Sequence, residues 1–75
     1  MVSDDGLSIA AMHRICKKAG AERVSESAAR EMAKVLEELG LQIGKEALDF
    51  TMHAGRQTVK GRDIRIAADK VLKQS

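Results

Sequence analysis

The chain has no proline, tryptophan or tyrosine, a single phenylalanine, Phe50, and a single cysteine, Cys16. One cysteine excludes an internal disulfide, and with only His13 and His53 beside it no metal-ligand cluster forms, so neither metal nor cofactor is expected. Such cysteine usage agrees with a reducing intracellular setting. With one aromatic ring, stacking on unpaired bases is nearly excluded as a binding mode. No apolar run approaches membrane-spanning length, and Met1 to Gly6 carry Asp4 and Asp5 rather than a basic, apolar leader. The expectation is a soluble, cytoplasmic protein with no membrane segment. A Gly-rich phosphate loop is missing, and so are paired carboxylates in an apolar setting, which leaves nothing to assemble into a catalytic site. At 75 residues the chain makes one domain at most, and so small a domain struggles to bury enough apolar surface without a staple or a partner.

What the chain does have is one long uninterrupted segment, Ser25 to His53. Apolar side chains recur there at Ala28, Met32, Val35, Leu36, Leu39, Ile43, Ala47 and Phe50, steps of three and four that predict one helix with one stripe. Ser25 is the expected N-cap with Glu26 beside the positive end of the dipole, and Ala54-Gly55 is the expected stop. Gly40 and Gly44 lie mid-helix, where each glycine costs about 1 kcal/mol relative to alanine. A break at Gly40 is the alternative, but the stripe keeps its phase through Leu39, Ile43 and Ala47, so a continuous helix is expected. Two glycines four apart let a second helix cross closely, and a crossing with a copy of the chain falls on a two-fold axis. Such a helix runs about 43 Å, whereas a globule of this length has a diameter of roughly 30 Å by the compact-domain scaling. The stripe outruns any cover its own chain provides, which predicts an obligate oligomer.

Shorter helices flank it. Ser8 to Ala19 places Ile9, Met12, Ile15, Cys16 and Ala19 on one face and ends at Gly20, and Gly61 to Lys73 places Ile64, Ala67, Ala68, Val71 and Leu72 at helical spacing. The connections are short, and Arg23-Val24 and Thr58-Val59 are locally suited to extended backbone. A single domain over residues 8–73 follows, with a flexible stretch at 1–7 and an end at 74–75. The net charge of +2 is unevenly divided. Arg14, Lys17, Lys18 and Arg23 against Glu22 make the first connection and its approach +3, and Arg56, Lys60 and Arg62 make the second +3. Glu26 to Met52 carries −3. Taken alone, the Arg14, Lys17 and Lys18 cluster reads as the solvated face of a surface helix. Taken with the second basic segment, it favours a polyanion bound at the ends of the long helix.

The segments Ala19-Gly20-Ala21-Glu22-Arg23-Val24-Ser25 and His53-Ala54-Gly55-Arg56-Gln57-Thr58-Val59-Lys60, followed by Asp63-Ile64, resemble the two loop regions of archaeal-type histones. The resemblance covers Ile9 to Lys73. It implies an all-α histone fold whose protomers join head to tail in a handshake dimer, with duplex DNA wrapped around stacked dimers. In such a dimer the central helices cross, here at Leu39, Gly40, Ile43 and Gly44, and the first loop of one chain pairs with the second loop of the other through short parallel strands. The two +3 segments then become one basic patch at each end. The resemblance further assigns Arg23 to a minor groove, Arg14 and Lys17 to phosphates, and Thr58 and Lys60 to the DNA backbone. Arg56 and Asp63 match an ion pair that clamps the second loop onto the third helix. His53, with Phe50 one turn earlier and Asp63 at the start of the third helix, matches the surface between dimers. The competing readings are a helix-capping role for His53 and a core position within the dimer for Phe50.

Several positions depart from the family pattern. Gln57 stands where lysine is common, Arg65 where an acidic residue is common, and His13 where a small residue is usual. Cys16 reads most simply as a small buried hydrophobe. The expected function is a homodimeric histone that bends, wraps and compacts double-stranded DNA with little sequence preference, into nucleosome-like or extended superhelical chromatin. The alternative is a histone-fold subunit that heterodimerises, with a paralogue or within a transcription or chromatin complex. A recognition-helix factor is disfavoured, because the long helix is acidic where such a helix is basic.

Overall fold

The computed structural model describes residues 7–73 and contains three helices: α1, Ile9–Lys18; α2, Glu26–His53; and α3, Gly61–Lys73. Gly40 and Gly44 do not break α2, which is continuous for 28 residues. The expected flexible start and the last two residues lie, apart from Leu7, outside the described residues. No strand is present among the described residues, so Arg23-Val24 and Thr58-Val59 are loops in the single chain.

Each helix end has a local cause. Ser8 caps α1, its hydroxyl accepting the Ala11 N–H at 3.1 Å, and Ser25 caps α2 through the Ala28 N–H at 3.1 Å. At the C-terminus of α1, Ala19 is the cap and Gly20 takes φ +113°. The Ala21 N–H reaches the Cys16 carbonyl and the Gly20 N–H the Lys17 carbonyl, the two bonds of a Schellman closure. The same closure ends α2: Gly55 takes φ +75°, the Arg56 N–H donates to the Thr51 carbonyl at 3.0 Å, and the Gly55 N–H to the Met52 carbonyl at 2.9 Å. Glycine is required at both turns because a left-handed φ strains any residue with a Cβ.

Compact contacts divide the chain within α2, into Met1–Glu38 and Leu39–Ser75. In the first unit Met12, Ala29 and Ala33 are buried, with Ile9, Ala11, Met32 and Leu36 packed against them. In the second, Ala47, Thr51, Asp63 and Ala67 are buried. The deepest face of α2 is therefore lined by small side chains, and the stripe expected from the sequence is shifted: Ala28 is exposed and Val35 is 51% exposed. Leu41 and Met52 are each 62% exposed, and Leu48, Ile66 and Leu72 are exposed as well. Met12 is the largest buried apolar side chain among the described residues. Cys16 is half-buried rather than buried.

Candidate nucleic-acid interface

The second loop is built around one carboxylate. Asp63 stands third in α3, where a side chain can reach back to the backbone of the residue before the helix, and it accepts the Lys60 N–H at 2.9 Å. Its Oδ2 also accepts Arg56 Nη1 at 3.0 Å and the Thr51 hydroxyl at 3.0 Å, while Oδ1 accepts Arg56 Nη2 at 3.0 Å. The guanidinium is thus bidentate, the geometry in which arginine binds carboxylates most strongly. Arg56 also lies 3.4 Å from the Thr58 carbonyl, its Nη1 donating. The two Arg56 hydrogen bonds, then the Lys60 N–H and the Thr51 hydroxyl, hold the Asp63 carboxyl well below the usual range, and they outweigh a burial that pushes it up. Four residues from three segments meet there, leaving the Thr58 and Lys60 side chains outside, exposed.

On the first unit Arg14, Lys17 and Lys18 project from α1 and Arg23 from the first loop, all exposed. None of their side chains, nor that of Lys60, enters a hydrogen bond or ion pair among the described residues. Exposure does not single them out, since Lys34 and Lys45 on α2 are exposed too. Position does: the first group lies on the short helix α1 and in the two loops, whereas Lys34 and Lys45 belong to an acidic helix. At the end of α2, His53 Nδ1 lies 2.9 Å from the Asp49 carbonyl of its own helix. Half-buried Phe50 has the Lys70 ammonium 6.0 Å from its ring centroid, and that ammonium pairs with Glu46 at 2.6 Å.

The family described as histone-like transcription factor (CBF/NF-Y) and archaeal histone matches residues 6–68. The chain belongs to that family. This histone-fold chain is 54% identical over 61 residues to one of the subunits of the archaeal histone HAN1 of Thermococcus zilligii, a span that covers 81% of the chain and 91% of that relative. It is 48% identical over 61 residues to "Probable archaeal histone 3" of Methanocaldococcus jannaschii, again over 81% of the chain and 91% of the relative. Its family is one of structural DNA-binding proteins and not of enzymes. The short, long and short helices are those of the histone fold. No helix is long and apolar enough to cross a membrane among the described residues.

Within this histone-fold chain, Arg56, Asp63, Thr58 and Lys60 lie together in one loop region, and Arg14, Lys17 and Arg23 lie in the other unit. Asp63 is 3% exposed, and its four hydrogen bonds hold the start of α3 against the end of α2 and the second loop. One member of this cluster escapes a reading of the sequence: Thr51, which is absent from the apolar stripe and carries no charge. The signal that could have found it is Gly55. A Schellman glycine sets the residue after it and the residue four before it on the same side of the helix end, and here those are Arg56 and Thr51.

Proposed function

We propose that this histone-fold DNA-packaging protein acts as a head-to-tail handshake homodimer that binds, bends and wraps duplex DNA through Arg14, Lys17, Arg23, Thr58 and Lys60, in association with the chromosome. The observation that carries the reading is the set of cations at both loop regions, unpaired among the described residues and separated by an acidic helix. Dimerisation is supported by the large apolar residues the single chain leaves exposed, and by open space around the Cβ positions of Gly40 and Gly44. With Leu39 and Ile43 they mark the crossing of the two central helices. Phe50 and His53, beside the Asp63 end of α3, form the contact between dimers that lets them stack. Paralogue pairing is a second reading, favoured by the word "subunit" in the name of one relative. Mixing with such a paralogue and separating homodimer from heterodimer by native mass spectrometry distinguishes the two.

Binding should be driven by phosphate neutralisation, so the logarithm of affinity against the logarithm of salt should fall with a slope of about −0.9 per neutralised phosphate. Fluorescence anisotropy of a labelled duplex across a salt series measures it, and a nearly flat line overturns the mechanism. Nuclease digestion of the complex then reads the assembly: regular small increments mean stacking dimers, one fixed size a closed particle.

A further inference from the structure

We propose that Thr51 is a positioning residue for the second loop, its buried hydroxyl fixing Asp63 and, through Asp63, the Arg56 guanidinium and the Lys60 backbone, so that Thr58 and Lys60 are presented to DNA. The proposal rests on the DNA-binding reading of that loop. Thr51 is fully buried, and its Oγ1 stands 2.9 Å from the Ala47 carbonyl and 3.0 Å from Asp63 Oδ2. A hydroxyl has one hydrogen to give, and a carboxylate is the stronger of these two acceptors because it is charged. A threonine four residues from a carbonyl commonly turns its hydroxyl back on its own helix. Here the same turn of α2 aims the oxygen at the first turn of α3 instead of leaving it to α2 alone.

Three backbone facts make this contact matter to the loop. Thr51 is the residue whose carbonyl receives the Arg56 N–H at 3.0 Å, so side chain and main chain of one residue hold both ends of the Arg56 to Asp63 link. Asp63 in turn receives the Lys60 N–H, which sets the backbone from which the Lys60 ammonium extends. Arg56 Nη1 donates to the Thr58 carbonyl, which ties the middle of the loop to the same carboxylate. With the hydroxyl gone, Asp63 keeps its partners but loses the contact that anchors it to α2. The loop then gains freedom at Thr58 and Lys60, and each DNA contact made from it becomes weaker.

Thr51→Val keeps the volume and removes the hydroxyl, and Thr51→Ser keeps the hydroxyl and removes the methyl. The full-length dimers are compared well below their melting temperatures. Thr51→Val should weaken duplex affinity about three- to tenfold at fixed salt, speed hydrogen exchange at the Lys60 amide, and leave unchanged the Ala11 and Ala28 amides held by Ser8 and Ser25. Thr51→Ser should restore both readouts. Parental affinity in Thr51→Val overturns the proposal, and so does weakened binding with an unaltered Lys60 amide, since the effect would not then pass through Asp63. Lys60→Ala is measured alongside. If it binds like the parent, the loop is not a DNA contact, and the interface reading has failed independently of what Thr51 does.

Discussion

Asp63 and Arg23 are both charged loop-region residues, yet their surroundings assign them opposite parts. Asp63 accepts four hydrogen bonds inside its own chain, and its carboxyl titrates below the usual value near 4 because Arg56 and its other donors favour the charged form. A carboxyl depressed in the folded state stabilises it fully above the unfolded value, and that stability is lost as pH falls through the folded value. Asp63→Asn should therefore lower the melting temperature near neutral pH, and the gap to the parent should narrow as pH falls below about 4. Thermal melts followed by circular dichroism across that range check it, and a gap independent of pH would remove the ion-pair account. Arg23 is exposed and unpaired among the described residues. Arg23→Ala should leave melting nearly unchanged and make the salt dependence of duplex binding shallower by about 0.9 for each copy in a dimer. A large loss of stability with intact binding would reverse the two assignments.

At the scale of the helices, ends and faces were legible to different degrees. The cap at Ser25 and the stops at Gly20 and Gly55 follow from residue chemistry confined to a few positions, and a single sequence shows them. The Arg56 and Asp63 pairing was visible only through resemblance, because its partners lie seven positions apart across a helix end, where no periodic rule applies. The buried face of α2 was legible only in part: Ala47 of the expected stripe is buried and Met32 and Leu36 pack on the core, but Ala29, Ala33 and Thr51 lie outside that stripe. Pattern reading selects large apolar residues, whereas inside one chain the deepest positions are Ala29, Ala33, Ala47 and Thr51, small enough for close approach. Leu41, Leu48 and Met52 stand off that face and stay exposed. The stop at Gly55 permits a direct trial. An alanine there must hold φ near +75°, which costs about 1 kcal/mol or somewhat more. Gly55→Ala should lower the melting temperature by roughly 4–8 °C for a domain of this size. It should also speed exchange of the Arg56 amide, which donates to Thr51, and a melting temperature equal to the parent's would show that the closure contributes little.

For the whole molecule the deciding observation is how much apolar surface one chain leaves uncovered. Met12 is its largest buried apolar side chain among the described residues, while five leucines and isoleucines on α2 and α3 are more than 40% exposed: Leu41, Leu48, Ile64, Ile66 and Leu72. At about 25 cal/mol per Å² of apolar area, a core of mostly alanine cannot offset the chain entropy of a 75-residue domain. Folding and association should therefore be one event, with a melting temperature that rises with protein concentration. The crossing point makes the argument specific. Nothing lies within 4 Å of a Cβ built at Gly40 in the single chain, so Gly40→Leu has room there and should gain helix propensity of somewhat under 1 kcal/mol. If a second α2 crosses at that residue, the leucine instead forces the two backbones apart and the stability gained from association is lost. Sedimentation equilibrium with concentration-dependent melts separates these outcomes. A weakened dimer that melts at lower temperature places the crossing at Gly40, and an intact dimer that melts at or above the parent's temperature moves it elsewhere along α2.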